Sequence, residues 1–575
     1  MTRSENILGG GIILTFTFLC IANVLLLPPY EGFDETAHYS YISILADRHA
    51  IPDFRHTPMD ATVGNDLLGL PLPYTYSGAN GGITYSKFFN TGFPLEREKA
   101  VRGLWQDPQG VASYVPGRGA NWEGQHPPLY YLVMIVPYRL ARTWPPGMRL
   151  LFLRLFSVAL ACGSLVFWFK SIKLFRSSSS RRFLLLAGLV ITFFPSLWYD
   201  LARLGNDSLV ALLFAGSFYF LLSTYINGQR HVSDFIGLSL TLGLGLLTKL
   251  FFLPLLIGAV LYSLWIGVRV SKIGLRPLLF RVSLLAGGAL LLAGWWFWFC
   301  YFRYGMAMTS HEAYIFRQIG HPPGDQLTSV QFFVEMTRAL GGFVTTFLWC
   351  GTWSWVRPPV YLYACFLPLC ALTLWGLISF IRVQGQTTNN QIVAIAVFFL
   401  VPLLLGFVCH MYLRVKFTGV GKGTEGYYLF AVWPIIGLCF VFSFEAKETI
   451  AQKIALLSAF ALVSFFDAAG WWRSALVYSG LVEVEKAGLR LSSRGFVLPT
   501  IGNIALVLDR LRTLAFPHGA MLLYVMALLV RSALAVGTIF FLSSPFEMLS
   551  PEINEPSQGR KVKNAASLTN QSYGT

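Results

Sequence analysis

The chain has 575 residues, 55% of them hydrophobic and only 13% charged, with a mean hydropathy of +0.57. A soluble protein of this length carries about twice that share of charge, which excludes an ordinary water-soluble domain and implies a polytopic membrane protein. The net charge of +16 collects in short gaps between apolar blocks, such as Lys170, Lys173, Arg176, Arg181 and Arg182, then Arg269, Lys272, Arg276 and Arg281. That is the pattern of cytoplasmic turns and argues against a nucleic-acid partner.

The first apolar stretch, Ile12 to Leu27, lacks a small-residue cleavage site before Pro28-Pro29 and reads as a retained membrane helix. With the N-terminus inside, residues Pro28 to about Met148 lie outside. This first external loop (28–148) is too long for a plain connection and should be a folded, functional element. Within it, Asp34 to Arg48 reads as an amphipathic helix with Ala37, Tyr41, Ile44 and Leu45 on one side. Pro128 to Leu140 is a second apolar segment, too short to span comfortably. Both are expected to lie along the bilayer surface.

Membrane crossings then alternate: Leu150–Phe169, Phe183–Trp198, Ser208–Leu222, Phe235–Leu247, Phe251–Trp265 and Val282–Phe302. A second external loop (303–359) follows. Tyr361–Ile381, Ile392–Met411, Tyr428–Phe444, Ile454–Phe466 and Ala520–Leu542 complete about twelve spans, counting the first helix. The expected fold is all-α, with residues 1–542 as one transmembrane domain and 543–575 as a disordered cytoplasmic tail rich in Ser, Asn, Gln and Pro. Eight cysteines without a CxxC, and none between Pro28 and Pro128, argue against a disulfide-stapled or zinc-binding external domain.

Two polar clusters bracket the first loop. In Glu31-Gly32-Phe33-Asp34-Glu35-Thr36-Ala37-His38, the three carboxylates and the histidine would form a single stripe if helical. Carboxylates crowded against a bilayer repel one another and lose solvation, so their presence needs a reason. The plain reading is an N-cap at Asp34 and a solvated face; a divalent cation between Asp34 and His38 is a third reading, with no second His or Cys to support it. The second cluster, Glu123-Gly124-Gln125-His126-Pro127-Pro128-Leu129-Tyr130-Tyr131, combines a carboxylate and a histidine with a rigid turn. Its plain reading is a helix start with a tyrosine-rich interfacial anchor.

These strings carry a resemblance. Phe33-Asp34-Glu35-Thr36-Ala37-His38 resembles the Asp-Glu motif that opens the first external loop of the GT-C superfamily, integral-membrane glycosyltransferases that use polyprenyl-phosphate sugars. His126-Pro127-Pro128-Leu129 is similar to the His-Pro-Pro-Leu of protein O-mannosyltransferases, and Pro127 to Tyr131 to the Pro-Pro-Leu-Tyr-Tyr of lipid A aminoarabinose transferases. Arg203 to Asp207 resembles their Arg…Asp element, and Leu246 to Lys249 their Leu-Thr-Lys turn. A bacterial membrane family of unknown function that pairs Asp-Glu-Pro-Ala-His with His-Pro-Pro-Leu-Tyr-Tyr is closer still. This chain departs from it at Thr36, where proline is usual, and at Glu425-Gly426-Tyr427-Tyr428, where Gly-Arg-Tyr is usual; Arg414, Lys416 or Lys422 are candidates for the missing cation.

The resemblance implies sugar transfer outside the cytoplasm, with a polyprenyl-phosphate sugar as donor and a glycan, lipid or protein hydroxyl as acceptor. Asp34 is then the base, with Glu35 and Glu123 supporting the acceptor or the base. Arg203 and Lys249 face the phosphate, with His38, His126 and Asp207 lining the substrate site. Snorkelling is the plain reading of both cations. Other readings are a twelve-helix transporter or lipid flippase, with Asp467 as its intramembrane carboxylate, and a non-catalytic partner in glycan assembly.

Overall fold

The computed structural model describes residues 1–71, 83–91, 95–108, 110–175, 178–227, 229, 231–269, 271–308, 310–320, 323–383, 390–441, 450–487, 490–493 and 497–541. The tail expected at 543–575 lies outside them. The protein is a predominantly helical, multi-pass integral membrane protein. Eight of the described helices are long and apolar enough to cross a bilayer: Arg3–Leu26, Pro146–Leu174, Asp207–Ile226, Phe252–Arg269, Leu275–Tyr304, Ala394–Thr418, Ile450–Tyr478 and Pro517–Ile539.

The stretch read as one span from Phe183 to Trp198 is a broken pair, Ser180–Ile191 and Pro195–Leu201, bent by 74°. Pro195 has no N–H to continue the ladder and pushes Phe194 into an extended conformation, with ψ at 106°. Thr192, Phe193 and Phe194 tighten instead into bonds to the third residue back. Arg531, wholly buried on the last helix, donates to the Thr192 carbonyl that the break sets free (2.7 Å) and pairs with Asp467 (3.0 Å).

Counting the broken pair, the described helices give nine crossings by length and composition, where about twelve were expected. The difference lies in three apolar helices, Val232–Leu246, Val360–Gly376 and Gly426–Val441, which over these bounds are below the length of a full crossing, although the second continues as helix to Val383. The first of these has 15 residues, roughly 22 Å against a hydrocarbon core of about 30 Å.

Successive helices run to and fro, so that alternate ends meet in one region. The N–H of Phe516, before the last helix, bonds the Leu25 carbonyl of the first (2.9 Å). Leu129 N–H bonds the Leu247 carbonyl (3.0 Å), fastening the Pro127-Pro128 turn beside Lys249. Over these ends sits the first loop. Its helices Glu35–Arg48 and Leu129–Leu140 pack together through stacked Tyr41 and Tyr131, ring centroids 3.7 Å apart. A short antiparallel ribbon, Pro58–Asp60 with Pro116–Ala120, closes over them.

That cover changes the nature of the first of these helices. Every residue from Glu35 to Ala46 is buried, including Ser40 and Ser43, so the helix is enclosed on all sides and is not a one-faced surface helix. Ser40 explains how a polar face is tolerated inside: its hydroxyl accepts from the Asp60 N–H of the ribbon (2.8 Å).

Candidate active site

The segment from Pro28 to His38 leaves the first membrane helix at Leu26 and must reverse direction before the next one starts at Glu35. Two residues in it, Tyr30 and Asp34, take the left-handed conformation (φ 60° and 62°), which side-chain-bearing residues adopt only when the surroundings hold them there. Gly32 lies between them where nothing larger fits: a Cβ would stand 2.7 Å from the Glu35 side chain and 2.8 Å from that of Arg203. The single helical stripe expected of Glu31, Asp34, Glu35 and His38 therefore does not form. The helix begins only at Glu35, and the three carboxylates leave the chain in three directions.

Glu31 points into the interior, where one oxygen accepts from Tyr85 (2.7 Å) and the other from the Thr352 hydroxyl (2.8 Å) and the Ser354 N–H (2.9 Å). Glu35 is equally buried, and both its oxygens are occupied. Arg154 grips them with two nitrogens (2.8 and 2.5 Å), while the N–H groups of Leu204 and Gly32 complete the set (2.9 and 3.1 Å). The same guanidinium holds the Leu27 and Pro28 carbonyls (2.6 and 2.8 Å), so this pair fixes the exit of the first helix.

Asp34 differs from both. It stands in the N-cap position, yet its side chain makes no capping bond, because the left-handed backbone turns it away from the helix. The residue is half-buried, and one carboxylate oxygen accepts from the indole N–H of Trp122 at 2.8 Å.

Trp122 opens the short 3-10 turn Trp122–Gln125, set by the Asn121 side chain accepting from the Glu123 N–H (3.0 Å) and donating to the Ala37 carbonyl (3.1 Å). Glu123, next in the turn, is buried. One of its oxygens accepts from the Tyr131 hydroxyl (2.9 Å) and lies 3.3 Å from His38 Nδ1 and 3.5 Å from His126 Nε2. The two expected clusters thus meet, joined by Trp122–Asp34 on one side and His38–Tyr131–Glu123 on the other.

The cations come from the inner side. Arg203 pairs with Asp200 (2.5 Å) and more distantly with Asp207 (3.4 Å), and its plane lies near the Phe33 and Tyr427 rings (5.9 and 5.0 Å). Its Nε and Nη1 are buried without a hydrogen-bond acceptor among the described residues. Lys249 bonds the other oxygen of Asp207 (2.5 Å) and sits 3.9 Å over the centre of the Tyr428 ring. Tyr427 and Tyr428 thus form an aromatic bed for both cations.

Burial raises the pKa of Asp34 above the ordinary carboxylate range, against the pull of Arg203, the Trp122 N–H and Lys249. Glu123 is raised well above that range by burial and then by the charge of Asp34. Burial, followed by the charge of Arg203, lowers His38 well below its usual value, and burial with Lys249 takes His126 to about 3. At neutral pH both imidazoles are neutral, acting as hydrogen-bonding partners of a site whose fixed positive charges are Arg203 and Lys249. Among the described residues no three His, Cys, Asp or Glu side chains converge as a metal-ligand set.

Of the residues singled out from sequence, Asp34, His38, Glu123, His126, Arg203, Asp207 and Lys249 share this one region, and Glu35 lies just beneath it in its own ion pair. Sequence reasoning missed Trp122, Asp200 and Arg154, and read Tyr131 only as part of an interfacial anchor. The signal for Arg154 was available: a lone arginine inside an apolar stretch needs a partner. Nothing local distinguished Trp122 from the chain's other fifteen tryptophans among the 16.

No protein-family description matches the chain, and no curated protein does. Among solved structures it is similar to ArnT from Cupriavidus metallidurans bound to undecaprenyl phosphate, with 14% identity over 93% of this chain and 78% of that one, at a TM-score of 0.39. It is also similar to the Archaeoglobus fulgidus oligosaccharyltransferase in complex with Zn and sulfate, with 14% identity over 80% of this chain and 53% of that one, at a TM-score of 0.36.

Proposed function

We propose that the protein is a GT-C-type glycosyltransferase that moves a sugar from a polyprenyl-phosphate donor to an acceptor hydroxyl on the extracytoplasmic face. One observation carries this reading. The half-buried Asp34 is held beside two cations at a common end of membrane helices, and one of those cations, Arg203, has buried N–H groups that find no acceptor among the described residues. Buried donors without acceptors are costly, and phosphate oxygens would satisfy them.

In the proposed step, Asp34 takes the proton of the acceptor hydroxyl as that oxygen attacks the anomeric carbon. The bond from this carbon to the phosphate oxygen breaks, and the lipid phosphate leaves with the electron pair. Arg203 and Lys249 offset the charge that collects on it. The raised pKa of Asp34 suits a base at near-neutral pH, since a carboxylate that binds protons more tightly also accepts them more readily. Glu35 acts here as a support through Arg154, and Glu123 as the anchor of His38 and Tyr131. The acceptor class remains a glycan, lipid or protein hydroxyl in cell-envelope glycan synthesis.

The test is sugar transfer from a purified lipid-linked donor. Asp34→Asn should lose a hundredfold or more in rate, about 3 kcal/mol of barrier, with donor binding retained. Lys249→Glu should instead weaken donor binding. Equal transfer by wild type and Asp34→Asn overturns the assignment. The transporter reading drew on Asp467, and that carboxylate is locked to Arg531 inside the bundle.

A further inference from the structure

The carboxylate of Asp34 has, among the described residues, a single hydrogen-bond donor, the indole of Trp122. An aspartate at the start of a helix ordinarily turns its side chain onto the N–H groups of the first turn. Asp34 forgoes that and adopts a strained left-handed backbone, so the Trp122 contact replaces the cap.

Trp122 is itself anchored. Asn121 N–H bonds the Thr57 carbonyl (2.9 Å), and a Cβ on Gly124 would meet the Pro52 carbonyl at 2.7 Å, so the turn is seated against the loop behind it. From the second loop, the His311 N–H bonds Gln125 Oε1 (2.9 Å), and the His311 ring lies 6.5 Å from that of Trp122. A donor held this firmly restricts the carboxylate it binds.

We propose that Trp122 is the positioning residue of the base: its indole N–H holds one carboxylate oxygen of Asp34 and leaves the other to meet the acceptor hydroxyl. This rests on the reading of Asp34 as base. The indole N–H does not ionise at neutral pH, so it cannot act as acid or base, and its part is to orient Asp34 and to favour its ionised form. The other charged or titratable groups that act on Asp34 are Arg203 and Lys249, which favour ionisation, and Asp207, which opposes it; Glu123 and Tyr428 respond to its charge in turn. Removing the N–H while keeping those groups raises the pKa of Asp34, and the acidic limb of the rate profile moves to higher pH.

Two variants of the full-length protein test this: Trp122→Phe, and an isosteric replacement of the Trp122 indole by benzothiophene, which deletes the N–H and keeps the ring. Trp122→His, which restores a ring N–H, is the rescue variant. Protonation of Asp34 is read without turnover, by labelling with a hydrophobic carbodiimide across pH and mass spectrometry of the Asp34 peptide. The expected result is a labelling midpoint about one pH unit higher in both N–H-deleted variants. Transfer at neutral pH should fall about tenfold in kcat, with donor KM little changed, and recover toward alkaline pH. Trp122→His should restore part of both. An unmoved midpoint in the benzothiophene protein overturns the proposal, because Trp122 then only packs. A shifted midpoint in a protein that transfers no sugar upholds the hold on Asp34 and overturns the proposed reaction instead.

Discussion

Asp34 and Glu35 are adjacent carboxylates with opposite surroundings, and the difference is conformational. Glu35 is the first helical residue and turns inward to Arg154, whereas Asp34 sits one step earlier in a left-handed conformation that points it to Trp122. Their variants should therefore fail differently. Glu35→Gln leaves Arg154 buried with a neutral partner and should destabilise the fold by about 3 kcal/mol or more, as breaking one side of a buried pair does. The measurement is the apparent unfolding midpoint and folded yield in detergent; a normal midpoint with lost transfer would place Glu35 in the chemistry instead. Asp34→Asn should leave the midpoint nearly unchanged. The pairing of the motif residues was legible in the sequence, but not which carboxylate was free, because that depends on Arg154 119 positions away.

Glu31 joins two elements that the sequence reading kept apart. It ties the Tyr85–Asn90 helix of the first loop to the 352–354 turn of the second, and its backbone carbonyl accepts from the Trp353 N–H (3.1 Å). That turn carries Trp353 and Trp355 against Phe33, with ring centroids 5.2 and 5.9 Å away. Burial raises Glu31 from 4.5 to about 7, despite hydrogen bonds from Tyr85, Ser354 and Thr352 that pull it down. A carboxyl with a raised folded pKa stabilises the fold fully below its unfolded pKa, and that contribution fades as pH rises through the folded value. The junction should thus weaken between about pH 4.5 and about 7. In unfolding midpoints measured across that range, wild type should decline relative to Glu31→Gln, which stays neutral throughout. Parallel curves for the two proteins would show that Glu31 does not govern the junction. The expectation of an early folded loop on the membrane was legible from its length, whereas the second loop's share in the site was not.

At the scale of the molecule, the residues of the candidate site gather at one end because successive helices alternate in direction and the polar motifs lie where one ends and the next begins. Arg276, at the start of the helix Leu275–Tyr304, falls at the other end. With the N-terminus inside, a cysteine placed at Lys87 should react with a membrane-impermeant maleimide in intact cells, while one at Arg276 should react only after permeabilisation. The reverse pattern would put the site on the cytoplasmic face. The site end is also where the short helix Val232–Leu246 stops, letting Lys249 reach Asp207 on the next-door helix.

Composition and apolar periodicity by themselves determined that this is a many-helix membrane protein, because burying twenty-residue apolar stretches in lipid is a local requirement that each segment states on its own. The same holds for the two clusters in the first loop, since carboxylates and histidines beside a bilayer are conspicuous in any order of reading. Where Pro195 breaks a span, and which of three carboxylates belongs to a residue that is only half-buried, were decided only by tertiary structure. Those outcomes depend on partners distant in sequence, Arg154 for Glu35, Thr352 for Glu31 and Trp122 for Asp34, and no local pattern encodes which donor a buried acid will find.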